Sequence, residues 1–197
     1  MKNRSEDAEL LTSGDGAFAK RKLFFRILFV LIIFAAAAVD QLTKYLAVQN
    51  VKPVGKINLI KLGDTEVLNF TYCENTGMSF SLLEGQTWFL ILVPVILLIG
   101  VVWFEFSGKT AKYRRPDVEI ALAFLAGGGL GNLIDRILLG YVVDFIDVKL
   151  INFAIFNFAD ICDVCGGIYV CIVFAFIEIS EDRKKKTAPE KKTDGKT

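Results

Sequence analysis

LFFRILFVLIIFAAAAV, residues 23–39, is an apolar run whose only charged residue is Arg26. A helix rises about 1.5 Å per residue, so a run of this length nearly crosses the ~30 Å of hydrocarbon in a bilayer. In lipid the backbone must satisfy its own hydrogen bonds, which favours a helix. Three more apolar runs follow, at Thr87–Phe104, Ile120–Ile134 and Ile161–Ile177. The four runs together predict an α-helical membrane protein with four transmembrane helices.

Composition supports a membrane protein and excludes several kinds of enzyme. Hydrophobic residues make up 53% of the 197 residues, charged residues 23%, and the mean hydropathy is +0.47. Histidine is absent, which excludes Ser-His-Asp and Cys-His hydrolases and His-ligated zinc enzymes. With 23 basic against 22 acidic residues, the net charge gives no reason to expect a nucleic-acid partner.

Two other interpretations of the apolar runs compete with membrane helices. The four runs would be core helices in a soluble protein, but four in so short a chain argue against it. The first run would be a cleaved signal peptide, since Ala36 and Ala38 have cleavage-site spacing. The long segment before the run and the polar residues after it argue against cleavage.

Basic residues set the expected orientation. Of the 23 Lys and Arg residues, 17 lie before or within the start of the first run, between the second and third runs, or in the C-terminal tail. The positive-inside rule then predicts cytoplasmic termini and two external loops, at about 45–86 and 137–158. The charged segments 1–18 and 181–197 are predicted to be disordered, and 19–180 to form the membrane domain.

The first external loop has the pattern of a β-hairpin. Ile57–Leu62 is followed by Gly63-Asp64, a turn sequence, and then by the alternating segment Val67–Tyr72. A small β-structure on the outer face of the membrane is therefore expected.

Polar residues collect at one predicted depth, where the first and third runs end and the fourth begins. Ionisable groups in a membrane helix are costly unless they pair or form a site. Without histidine, such a patch suggests a pair of aspartates that share a proton, one activating water and the other donating to a carbonyl oxygen. The residues alone leave the pair open among Asp40, Asp135, Asp144, Asp147, Asp160 and Asp163.

Five segments in order resemble the bacterial lipoprotein signal peptidase family, signal peptidase II. They are Asp40-Gln-Leu-Thr-Lys44, Asn75-Thr-Gly77, Gly128-Gly-Leu-Gly-Asn132-Leu-Ile-Asp135-Arg136, Val143-Asp144-Phe145 and Phe156-Asn157-Phe-Ala159-Asp160. The resemblance covers about residues 40–167, and each segment alone would be weak. Met78-Ser79 departs from the family, where a small pair is usual.

The resemblance implies an aspartic endopeptidase of the bacterial inner membrane, with its active site at the outer face. It implies a substrate class of diacylglyceryl-modified prolipoproteins, cut just before the lipidated cysteine. Asp144 and Asp160 match the catalytic positions. The other matching positions, with binding or supporting roles, are Asp40, Lys44, Asn75, Gly77, Asn132, Arg136, Asn157 and Ala159.

Simpler structural roles remain open for several of these residues. Asp135 and Arg136 would form an interfacial ion pair, and Asn157 would cap the fourth helix. Asp163 would be a first-turn acid stabilised by the helix dipole rather than a third site acid. The glycines at 127–131 are expected to allow close helix packing.

Two other functions compete with the peptidase. Cys162 and Cys165 form a C-x-x-C, which would suit a quinone-linked thiol oxidase, but only Cys73 lies in the external loops to relay electrons. A proton-coupled transporter would need acids deeper in the bilayer. We expect no metal or cofactor, lipid as the surroundings, and a monomer.

Overall fold

The computed structural model describes residues 4–77, 87–107, 113, 115–151 and 153–187. Within these residues the chain forms helices α1 to α4 and strands β1 to β3, with a short 3-10 helix at Lys149–Ile151. The elements follow in the order α1 (Arg4–Asn50), β1 (Lys56–Leu62), β2 (Thr65–Asn75), α2 (Thr87–Phe106), α3 (Pro116–Leu138), β3 (Val142–Asp147) and α4 (Phe158–Thr187).

The four predicted membrane runs are all helical. Among the described residues, four helical segments are long and apolar enough to span a bilayer. The first, third and fourth spans extend the predicted runs at both ends, and the second extends its run only at the C-terminal end, because a formed helix gains one hydrogen bond for each residue it adds. The spans are Ala19–Asn50, Trp88–Phe106, Pro116–Leu138 and Phe158–Arg183.

The helices extend into the charged terminal segments. α1 begins at Arg4 and α4 ends at Thr187, whereas composition predicts disorder for 1–18 and from 181 onward. Helix propagation from an adjacent membrane span explains the difference, since elongation is far easier than nucleation. Residues 188–197 and Met78-Ser79 lie outside the described residues, and the division into domains stays a prediction.

Small residues bring α3 against α1 and α4, as the glycines at 127–131 predicted. A Cβ on Gly127 would lie 2.7 Å from Ala36 Cβ and 2.9 Å from the Ile33 carbonyl oxygen. On the α4 side, a Cβ on Gly128 would lie 2.5 Å from the Ala159 carbonyl oxygen. α3 is therefore the central helix of the bundle, and its backbone touches both neighbours.

The predicted hairpin is present, and it has a third strand. β1 and β2 pair antiparallel around Gly63, whose φ of 60° suits glycine. β3, from the second loop, pairs antiparallel with the other edge of β2, giving the order β1-β2-β3. β3 was not predicted, because its six residues, Val142–Asp147, show no regular alternation of apolar and polar side chains.

The sheet is fixed to the end of α1. Ala47, Val51 and Phe145 form a buried cluster, against which Ile57 and Phe70 pack. This contact sets the three-stranded sheet over the end of the bundle where α1 and α3 finish and α4 begins.

The close packing at Gly127 predicts a position-dependent cost of adding one methyl group. Gly127→Ala should lower the free energy of unfolding by about 1–3 kcal/mol, because backbone and Cβ atoms of α1 occupy the space that the methyl group needs. Thermal unfolding of purified protein in detergent, followed by tryptophan fluorescence, measures the effect.

Gly100→Ala is the matched control. Among the described residues, no atom outside the adjoining backbone of α2 lies within 4 Å of its added Cβ, so this helical substitution should raise stability by about 0.5–1 kcal/mol. Equal effects of the two substitutions would contradict the packing of α3 on α1.

Candidate active site

Asn157 connects the two aspartates that the sequence singles out. Its side-chain Nδ2 donates to Asp144 Oδ1 at 2.7 Å, and its backbone N–H donates to Asp160 Oδ2 at 3.0 Å. Its Oδ1 in turn accepts from the backbone N–H of Asp160 at 3.0 Å. Asn157 is thus the N-cap of α4, as predicted, and the reciprocal bonds form a capping box.

Strand β3 supplies Asp144, which is 2% exposed. Asn75, at the end of the neighbouring β2, donates its Nδ2 to Asp144 Oδ2 at 2.9 Å. Burial raises the pKa of Asp144 from 3.8 to about 6; the hydrogen bond from Asn75 opposes the rise, and the charge of Asp160 adds to it. This carboxyl group therefore retains its proton to a higher pH than an exposed aspartate.

Asn132 on α3 fixes the other side of Asp160. Its Nδ2 donates to Asp160 Oδ1 at 2.9 Å. Its Oδ1 accepts from Lys44 Nζ and from Asn157 Nδ2, each at 3.0 Å. Because both donors bind the oxygen of the Asn132 amide, its nitrogen must face Asp160.

Lys44 lies at the centre of a buried ion cluster. Its Nζ is 2.7 Å from Asp40 Oδ2 and 3.1 Å from Asp135 Oδ2, and all three side chains are 3% exposed or less. Gln41 donates to Asp135 Oδ1 at 2.8 Å. Asp135 therefore pairs with Lys44 and not with Arg136, the partner expected from the sequence. Neighbouring residues on a helix point in different directions, so Asp135 and Arg136 do not face each other.

The ion cluster also binds backbone groups of the elements that carry the aspartates. Asp40 Oδ1 accepts from the backbone N–H of Ala159, and Asp135 Oδ2 from that of Val143, both at 3.0 Å. Ala159 and Val143 immediately precede Asp160 and Asp144 in the chain. Each carboxylate therefore fixes the backbone beside one of the two aspartates.

Arg136 connects the first loop to α3. Its guanidinium lies 3.4 Å from the Gly77 carbonyl oxygen and 3.5 Å from that of Asn132. The backbone N–H of Gly77 donates to Asn75 Oδ1 at 3.0 Å, which orients the amide that binds Asp144. Arg136 Nε is buried and has no partner among the described residues.

A cavity of about 340 Å³ opens beside the two aspartates. One part is polar and the other is apolar, formed mainly by side chains of α2 and α3. The polar lining residues are Asn75, Asn132, Arg136, Asp144, Asp160 and Asp163; the apolar ones include Pro94, Leu97, Leu98, Val101, Leu125 and Ala126. Such a cavity would accept a molecule with a polar centre and a long apolar part.

All ten residues singled out by the sequence come together in this network. Sequence reasoning missed Gln41 and the pairing of Asp135 with Lys44. The first-turn role expected for Asp163 is wrong: this residue is the sixth of α4, beyond the first turn, and it lies in the cavity wall. The signal for Asp163 was its spacing, since a residue three positions after Asp160 lies on the same helix face. Asp147 lies away from the cavity and binds Thr71 Oγ1 at 2.7 Å.

The cysteines do not contribute to this site. Cys162 and Cys165 line a shallow apolar groove on the outside of α3 and α4, where Gly166 packs against α3. Cys73 lies on β2 opposite Asp144, and burial raises the pKa of its thiol, which disfavours the reactive thiolate. Cys162 is buried, and Cys165 is exposed on the outer side of α4.

Fold and site together define an integral membrane protein with a carboxylate-lined cavity at one end of a helical bundle. A family model described as signal peptidase (SPase) II matches residues 32–177. A lipoprotein signal peptidase of Listeria monocytogenes serotype 4a is 41% identical over 160 residues, covering 80% of this chain and 97% of the relative. Another, from Clostridioides difficile, is 34% identical over 152 residues, covering 77% and 97%.

Two solved structures of membrane enzymes have a similar fold. One, described as a bacterial membrane enzyme, is 31% identical, with a TM-score of 0.61 and coverage of 86% of this chain and 94% of its own. A second with a similar description is 32% identical, with a TM-score of 0.63 and coverage of 75% and 92%. The chain belongs to the signal peptidase II family, the lipoprotein signal peptidases, and is a membrane-spanning protease.

The buried carboxyl group of Asp144 predicts a pH-dependent stability. Between about pH 4 and pH 6 the folded chain retains a proton that the unfolded chain has lost, so this group's stabilising contribution falls as pH rises. From pH 4.5 to 7, the free energy of unfolding should fall by about 2 kcal/mol more in the wild type than in Asp144→Asn.

Thermal unfolding in detergent at several pH values measures this difference. Titrating groups that are not coupled to Asp144 contribute to both proteins and cancel in the comparison. The same pH slope in wild type and Asp144→Asn would contradict a raised pKa at Asp144.

Proposed function

We propose that this chain is an aspartic endopeptidase that removes the signal peptide of prolipoproteins by cutting just before the diacylglyceryl cysteine. The observation that carries the proposal is the arrangement around Asn157, which hydrogen-bonds both Asp144 and Asp160 at the wall of one cavity. Family membership supplies the substrate class, and the cavity supplies a place for its lipid.

The two aspartates have different surroundings, which supports different roles. Asp160 is the third residue of α4, where the helix dipole and the Asn157 N–H stabilise a negative charge. Asp144 is the member whose pKa is raised by burial. Asp160 therefore acts as the base that takes a proton from water, and Asp144 donates its proton to the carbonyl oxygen of the scissile bond.

The reaction then needs only these two carboxyl groups. Hydroxide adds to the carbonyl carbon, giving a tetrahedral intermediate with a neutral oxygen protonated by Asp144. When the intermediate collapses, the proton held by Asp160 passes to the leaving nitrogen of the cysteine, and Asp144 recovers its own. Among the described residues that line the cavity, Arg136 carries a positive charge, which stabilises developing negative charge.

A location at the bilayer interface fits a lipid-anchored substrate. The aspartates lie where α4 begins, and the apolar part of the cavity extends along α2 and α3. Acyl chains would remain in the apolar part while the peptide bond reaches the carboxyl groups. By the distribution of basic residues, this end of the bundle faces out and both termini are cytoplasmic.

If Asp144 and Asp160 act together as a catalytic pair, here called the dyad, neither aspartate can be replaced without loss of activity. Asp144→Asn and Asp160→Asn should each reduce cleavage of a diacylglyceryl lipopeptide at least about 10³-fold, because asparagine can neither act as a base nor carry the proton. The double variant should be hardly slower than either single one, since the two groups act as a unit.

Asp147→Asn is the matched control for the dyad. It makes the same substitution on the same strand, three residues beyond Asp144, and its side chain binds Thr71 and Lys149 outside the cavity. It should retain most activity in folded protein, with folding checked by thermal unfolding. Substantial turnover by Asp144→Asn or Asp160→Asn would refute the aspartic mechanism.

Reporter fusions test the orientation. An enzyme that is active only outside the cytoplasm should be active when fused after Gly55, since this position follows α1 at the end of the bundle that carries the aspartates. The same reporter fused after Lys112, in the basic segment between the second and third spans, should be silent. The reverse pattern would place the aspartates on the cytoplasmic side.

A further inference from the structure

Asp163 is an acid in the cavity that the proposed mechanism does not use. It lies three residues beyond Asp160 on α4, about one turn and roughly 4.5 Å further into the membrane span. Its Oδ1 is buried and has no hydrogen-bond partner among the described residues. A Cβ on Gly128 would lie 2.5 Å from this oxygen, so glycine at 128 makes room for the carboxyl group.

A signal peptide in this cavity would bring unpaired backbone groups to the same depth. It enters from the cytoplasmic side and ends at the scissile bond, so the residues before the cut lie deeper than the dyad. A peptide bond must leave the helix to become accessible to carboxyl groups on both sides. In hydrocarbon, each backbone N–H released in this way needs an acceptor.

We propose that Asp163 is a substrate-positioning residue that accepts a hydrogen bond from a backbone N–H of the signal peptide immediately before the scissile bond. This inference rests on the proposed peptidase function. The lining of the cavity favours this role for Asp163. Deeper in the membrane span, the cavity wall is formed by Leu98, Val101 and Leu125, whose side chains cannot accept a hydrogen bond. Asp163 therefore supplies the deepest side-chain oxygen in the described wall.

Substrates that lack a single N–H test the proposal. Diacylglyceryl lipopeptides are made with an ester in place of one backbone amide, at each of the three residues before the lipidated cysteine. With the wild type, one of these replacements should raise KM by about 3–10-fold, the value of one hydrogen bond, with little change in kcat.

Variants of Asp163 complete the cycle. Asp163→Leu has no acceptor, so it should raise KM for the all-amide substrate by a similar factor. In this variant, the ester replacement that raises KM with the wild type should cause little further increase in KM. Asp163→Asn keeps an acceptor oxygen and should restore KM to within about twofold of the wild type. If Asp163→Leu does not fold, Asp163→Ala replaces it in the same cycle.

The outcomes separate this inference from the peptidase proposal. No cleavage of the all-amide lipopeptide by the wild type would refute the peptidase function itself. Cleavage with an unchanged KM in Asp163→Leu, or with additive effects of variant and ester, would overturn only the role of Asp163. A KM effect of Asp163→Leu that disappears instead with an ether-linked lipid would also overturn it, by assigning Asp163 to the lipid esters.

Discussion

The rest of the site depends on the buried ion pairs of the Lys44 ammonium group with Asp40 and Asp135. The ammonium group reaches Asp40 on its own helix, and Asp135 and Asn132 on α3, while Asp40 binds the backbone of α4 and Asp135 that of β3. A buried ion is costly unless its partners are all in place, and removing one partner leaves an uncompensated charge. The cluster therefore holds four chain segments in one arrangement or destabilises all of them.

The rigidity of this cluster is passed on to the aspartates through amide groups. Lys44 orients Asn132, Asn132 and Asn157 orient Asp160, and Asn157 and Asn75 orient Asp144. An asparagine has a donor and an acceptor side, so fixing one side with a neighbour determines which side the aspartate meets. Chemistry that depends on carboxyl groups at defined positions benefits from such support.

The cavity joins two kinds of surface that suit different parts of one substrate. Its polar end is built from β2, β3, the last turns of α3 and the beginning of α4, and its apolar side from α2 and α3. Since α3 packs closely against α1 and α4 through glycine, its position relative to the aspartates is set by backbone contacts. The packing of the helices therefore also determines the geometry of the site.

The sequence by itself determined the four spans, the hairpin at Gly63 and the cap at Asn157, because each depends on residues near one another in the chain. Its ordered motifs also named the ten residues that meet at the site. Only the tertiary structure decided that β3 joins the sheet, that Asp135 pairs with Lys44 rather than Arg136, and that Asp163 faces the cavity. These depend on distances between elements that are remote in sequence, and helix and strand periodicity shows which residues share a face but not what that face meets.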